Sequence, residues 1–300
     1  MHHVVMYSGG IGSWACAMRV AQTHGTDNLI LLFTDTKKKS DCHPHRGEDQ
    51  DLYRFLEQGA SVIGGKLEWI SRGKHIWQVF EDNRYMGNSR IDPCSRELKR
   101  EMARQWVEEH FTPDEVTLYI GIDWTEYHRT VSNTKGWEPY HAEFPMCQQP
   151  YLTKEDMCKW AESLGVKRPR LYDLGFAHNN CGGFCVKAGQ GHFYQLLKTM
   201  PERYAYHEMK QEELFSVLGK RRPFIRQVVN GKTQYLSLKE FREQVEALEA
   251  EKQDVSCQLD LFDIGGCGCF GDFSHHRRFA SKNSPKNKKI PTPIYGILDI

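Results

Sequence analysis

The chain reads as an α/β protein: a parallel sheet with helices on both faces, then a mainly helical C-terminal region and a Cys- and Gly-rich tail. Three observations predict this. Short β-branched or aromatic runs alternate with longer helical patterns through the first half, as parallel βαβ units require. A Gly-rich turn separates the first such run from the first helical pattern. The 300 residues, with 39% hydrophobic and 26% charged content, suffice for a core that needs no disulfides.

The elements follow in order. "HHVVMYS" reads as a strand, Trp14 to Thr23 as a helix, "NLILLFTDT" as a second strand and "DQDLYRFLEQGASVIG" as a second helix. "KLEWIS" is a third strand, "SRELKREMARQWVEEHF" one long amphipathic helix and "EVTLYIGID" a buried strand. After about residue 150 the pattern changes. "TKEDMCKWAESLG" is a helix capped by a threonine, and "RPRLYDLGFAHNNCGGFC" is an irregular connection. "GHFYQLLKTMPERYAYHEMKQEELFSVLG" is helical but interrupted at Pro201, and "SLKEFREQVEALEAEKQD" is a charged helix. This divides the chain into a nucleotide-binding domain over 1–200, a helical extension over 201–255, and a Cys/Gly-rich segment with a basic tail over 256–300.

A formal net charge of +1 makes no global case for or against nucleic acid, so any basic surface is local, as at Lys37-Lys38-Lys39 and Lys220 to Arg226. The N-terminus lacks the apolar stretch of a signal peptide. No run of about 18 apolar residues suggests a membrane span. These features point to a cytoplasmic protein with no membrane partner. In that compartment the ten cysteines are candidates for metal binding, sulfur chemistry or burial rather than disulfides. Cys16 and Cys158 fall within helical patterns and are expected to be buried. Cys94, Cys181, Cys185, Cys267 and Cys269 fall in Gly-, Pro- or Ser-marked turns, where side chains can converge on a site.

"VVMYSGGIGSW", Val4 to Trp14, has the form of a phosphate-binding turn but no lysine, so it matches neither a Walker loop nor a G-x-G-x-x-G loop. A glycine loop opening onto a helix binds an anion through backbone N–H groups and the positive helix end. Ser8, Gly9, Gly10, Gly12 and Ser13 are therefore the candidate phosphate ligands. In parallel sheets ligands lie beyond the carboxyl ends of strands, where Asp35, Thr36 and Gly121 also fall. Asp35 would supply a carboxylate and Thr36 a hydroxyl. Glu126 and Arg129, three apart, share a helical face; a guanidinium suits a phosphate, with the glutamate holding it.

Taken together these segments resemble a known group. "SGGIGS" is similar to the S-G-G-x-D-S loop of the adenine nucleotide α-hydrolase-like (PP-loop) enzymes. "DPCSRELKR", "GIDWTEYHR" and "PYLTKEDMCKWAESLGVKRPRLYDLGFAHNNCGGFC" follow the phosphoadenosine phosphosulfate (PAPS) reductase-like branch in order, over about residues 3 to 200. The resemblance implies that the loop holds the phosphates of ATP or another adenine nucleotide, with Mg²⁺ as an accompanying ion in ATP-using members. One departure stands out: Gly12 occupies the position at which those members carry an aspartate.

Cys181 and Cys185 are separated by Gly-Gly-Phe, which lets two sulfurs face one point, and Cys94 is the natural third thiol. In the cluster-containing sulfonucleotide reductases a Cys-Cys pair at the position of Cys94-Ser95 joins a later pair to hold a [4Fe–4S] cluster. Here the second of those is Ser95, and Cys267 or Cys269 is the candidate fourth ligand. An iron–sulfur cluster is preferred to zinc and to free or redox-paired thiols.

Three functions compete. The first is ATP-dependent adenylation and sulfur transfer to a nucleobase or nucleic acid, needing a sulfur donor. The second is a sulfonucleotide reductase with a thiol reductant, although the E-C-G-[IL]-H ending of that group is absent. The third is a non-catalytic nucleotide- and cluster-binding module. Finally, "QLDLF", Gln258 to Phe262, is similar to the peptide by which bacterial replication and repair proteins dock on the sliding clamp.

Overall fold

The computed structural model describes residues 1–88 and 91–251, together with residues 255 and 260. Strand β1 (His2–Met6) leads into α1 (Ile11–His24), β2 (Leu29–Asp35), α2 (Gln50–Ile63), β3 (Lys66–Ser71) and α3 (Ile76–Asp82). A short α4 (Pro93–Ser95), a π-helical turn over Arg96–Arg100 and α5 (Glu101–His110) follow, then β4 (Val116–Tyr119), a 3₁₀ turn over Trp124–Arg129, α6 (Thr130–Trp137) and β5 (His141–Glu143). The remainder is α7 (Lys154–Ser163), α8 (Arg170–Asp173), α9 (Gln190–Thr199), α10 (Pro201–Leu218), the strands β6 (Ile225–Val229) and β7 (Lys232–Leu236), and α11 (Leu238–Ala250).

The five N-terminal strands form one sheet in the order β3-β2-β1-β4-β5, every neighbouring pair parallel. Alternation along β1 sorts the two faces. Val5 belongs, with Tyr7 just beyond the strand, to a core built with α1, α2 and α7, including Trp14, Phe55, Leu56 and Met157. Val4 and Met6 belong to a core with α5 and α6, including Ala103, Val107 and Trp137. Both faces are thus covered, which explains why β1 and β2 read as near-continuous apolar runs rather than alternating ones.

A third core joins residues on both sides of residue 200. Trp77, Phe80, Leu98, Phe184 and Phe193 pack with Tyr204, Phe241 and Val245. The region after α10 is not wholly helical as expected, because β6 and β7 form an antiparallel hairpin. Its turn is Asn230-Gly231, with φ of 50° and 74°. The long helix expected from Ser95 onward is likewise interrupted by the π turn, which buries Lys99 and Arg100 where a regular helix would have carried them elsewhere.

No helix among the described residues is long and apolar enough to cross a membrane. Cys16 and Cys158 are buried as expected, and burial pushes both thiols up, Cys158 to about 11. The expectations for Cys267 and Cys269, and those for Gln258, Leu259, Leu261 and Phe262, fall outside the described residues.

Candidate nucleotide and cysteine sites

The strand order reverses at β1, which pairs with β2 on one side and β4 on the other. A crevice beyond the carboxyl ends of two such strands is where open α/β sheets bind ligands. Here it is a cavity of about 120 Å³, open to solvent. It is lined by Ser8, Gly10, Gly12 and Ser13 from the loop, Gly121 and Asp123 beyond β4, Glu126 and Arg129 from the 3₁₀ turn, and Lys154, Tyr172 and His178 to Asn180 from the second half. Three sequence segments read separately thus meet at one point.

The loop is shaped by its glycines. Gly9 has φ +80°, and a Cβ there would lie 2.8 Å from Leu52 Cγ, so both backbone conformation and packing require glycine. A Cβ on Gly12 would lie 3.1 Å from Gly121 O, and one on Gly121 only 2.8 Å from Gly12 O. Glycine at both positions lets the start of α1 touch the exit of β4. That contact is the physical setting of the departure at position 12.

The N-terminus of α1 carries no competing anion. Its cap residue Gly10 has no side chain to bond, and its first turn holds no acidic residue. Ile11 N–H donates to Tyr172 Oη at 3.2 Å. Ser8 Oγ donates to Ser13 Oγ at 3.3 Å, and Ser13 Oγ donates to Gly10 O at 2.8 Å. Arg129 Nη1 donates to Glu126 Oε1 at 2.5 Å, the pairing expected from the spacing. Glu126 is thus placed to hold Arg129, the role its spacing led one to expect.

Asp35 and Thr36 are not brought into this cavity. Asp35 is buried at the end of β2, where its carboxylate accepts bonds from Tyr53 Oη at 3.1 Å and Trp69 Nε1 at 3.2 Å. Burial first, and then the neighbouring Glu48 carboxylate, push its carboxyl up to about 6. The strand end was legible in the sequence; the aromatic clasp that turns this side chain aside was not. Thr36 instead faces a second pocket.

That second pocket gathers Cys94, Cys181 and Cys185 with Asp92, Ser95, Lys99 and Lys187, between apolar walls from Ile76, Phe80, Phe184 and Val186. Glu48, fully buried, accepts from Lys99 Nζ at 3.0 Å and from the Cys181 N–H. Lys99 Nζ also stands 3.8 Å from Cys181 Sγ. Both lysines are paired with buried carboxylates, Lys99 with Glu48 and Lys187 with Asp92 at 3.8 Å. Three sulfur donors suit a soft metal group, but the space does not. The cavity is about 20 Å³, room for about one water. No group of three or more His, Cys, Asp or Glu side chains among the described residues is arranged to hold a metal ion. The thiols share a pocket, not a coordination sphere.

Sequence reasoning missed Lys154, Tyr172, Asn179, Glu48 and Lys99. Tyr172, in α8, and Asn179, beyond it, belong to the stretch that reads from sequence as an irregular connection, where polar residues in Gly-marked turns were the available signal. Glu48 and Lys99 carried no signal, because an ion pair between residues 51 apart is a product of the fold. Neither a family model nor a curated protein matches this sequence.

Proposed function

We propose that the chain is an adenine-nucleotide-binding enzyme of the PP-loop, PAPS reductase-like type that adenylates an oxygen of a nucleobase or nucleic acid and replaces it with sulfur. The carrying observation is the convergence of the Ser8–Ser13 loop, Gly121 and the Glu126–Arg129 pair on one cavity at the strand-order reversal. These are the segments whose sequences resemble that group, and the sheet order suits it.

In this reading the uncapped start of α1 and the loop N–H groups hold phosphate oxygens. Arg129, fixed by Glu126, meets charge that builds as the acceptor oxygen attacks the α-phosphorus and pyrophosphate leaves. Lys154 adds a second cation at the rim. With no carboxylate at position 12, Asp123 and Glu126 are the lining acids that would meet Mg²⁺.

Sulfur transfer falls to the cysteine pocket. A sulfur donor at the persulfide level passes its outer sulfur to one cysteine, leaving as the free thiol; the cysteine persulfide then attacks the activated carbon and expels AMP. A second thiolate then cleaves the resulting disulfide, leaving sulfur on the acceptor and the two cysteines oxidised, to be reset by a thiol reductant. Cys181 and Cys185 are the pair for this exchange. A [4Fe–4S] cluster on Cys94, Cys181 and Cys185, with zinc as its competitor, is the alternative use of these thiols; it would need the pocket to open beyond its present volume of about 20 Å³ and would exclude the disulfide exchange.

The test incubates anaerobically purified protein with ATP or PAPS, a thiol reductant, a persulfide sulfur donor and digested nucleic acid, followed by mass spectrometry and metal analysis. AMP, pyrophosphate and a thiolated nucleoside are expected from ATP. Sulfite from PAPS would instead assign a sulfonucleotide reductase. Binding of no adenine nucleotide would remove the proposal altogether.

A further inference from the structure

Asn179 is 2% exposed, and its Nδ2 donates to Gly9 O at 2.8 Å, a contact between residues 170 apart in sequence. The Gly9–Gly10 peptide is trans. In a planar trans peptide the C=O and N–H point in opposite directions, so anchoring the Gly9 carbonyl also fixes the Gly10 N–H. That N–H meets no protein acceptor among the described residues, and Gly10 lines the cavity. Two adjacent glycines turn freely, and without an anchor this peptide would sample both orientations.

We infer that Asn179 is a positioning residue for the loop: its side-chain amide selects the orientation of the Gly9–Gly10 peptide in which the Gly10 N–H is offered to a phosphate. This rests on reading the cavity as a phosphate site. Only a donor serves at this position. An ionised carboxylate would face the Gly9 carbonyl oxygen and favour the reversed peptide, presenting an oxygen where the anion needs a hydrogen.

The experiment titrates inorganic pyrophosphate into wild type, Asn179→Ala and the nearly isosteric Asn179→Asp by calorimetry between pH 5 and 8, with melting temperatures recorded alongside. Asn179→Ala is expected to bind about tenfold more weakly, the scale of one hydrogen bond. Asn179→Asp is expected to bind still more weakly at pH 8 and to recover relative to wild type as pH falls, because the protonated carboxyl regains a donor. A residue that merely supports the fold would not give that pH dependence, and the loss in the uncharged Asn179→Ala separates the missing donor from direct repulsion of pyrophosphate by a carboxylate in the cavity lining. Wild-type affinity in Asn179→Ala, or a pH-independent ratio of Asn179→Asp to wild type, overturns the inference while leaving the phosphate site standing. Failure of wild type itself to bind pyrophosphate overturns both, and so separates the two.

Discussion

Asp35 shows how a residue in the right place can have the wrong orientation for chemistry. It ends the second strand, as the sequence led us to expect, but Tyr53 and Trp69 hold its carboxylate in a buried clasp. Its carboxyl, pushed up to about 6, binds a proton more tightly in the folded protein than in the unfolded chain. The stability it contributes is therefore full below about pH 4 and is lost as pH rises through about 6. An asparagine keeps both contacts, since the Tyr53 hydroxyl can accept as readily as it donates. Asp35→Asn should therefore be more stable than wild type at pH 7.5 by on the order of 2 kcal/mol, with the gap closing near pH 4. Urea unfolding at the two pH values measures this. An equal gap at both, or a destabilised variant at pH 7.5, would count against the assignment.

At the scale of elements, close approach decides more than propensity. Gly59 lies within α2, and a Cβ there would come 2.8 Å from Trp14 Cδ1 and also press on the Tyr7 hydroxyl. Alanine in a helix is favoured over glycine by about 1 kcal/mol, yet Gly59→Ala should lower stability by about 1–3 kcal/mol through overpacking. Thermal or urea unfolding reads the sign, and a stabilised variant would show that α2 does not pack against Trp14 and Tyr7 as described. The same contrast explains which elements were legible. Strands β1 to β4, α1, α2, α7 and the break before Pro201 follow from local pattern, and α7 has its Thr153 cap bonded to the Asp156 N–H. Strand β5, of three residues, is too short to show alternation. The β6–β7 hairpin did carry its signal, an Asn-Gly pair between alternating residues, and was passed over because the surrounding composition reads as helical. The π turn has no local signature. It is favoured where Lys99 meets Glu48 and Arg100 meets Asp92, contacts that exist only in the folded chain.

For the molecule as a whole, the parallel sheet was legible because βαβ alternation admits few arrangements, and the turn between β1 and α1 was legible because Gly9, Gly10 and Gly12 cluster directly after the first apolar run. That Gly121 and the Glu126–Arg129 pair meet the loop follows from β4 pairing beside β1. That Asn179, also part of the cavity lining, bonds the Gly9 carbonyl does not follow from any local pattern. The convergence of three distant segments on one anion is the central claim, and hydrogen–deuterium exchange with and without ATP tests it most directly. The account predicts that ATP slows exchange together in peptides covering 6–14, 120–130 and 172–181, with little change in the β6–β7 hairpin. Protection confined to one of these segments, or absent from all three while ATP is bound elsewhere, would contradict it.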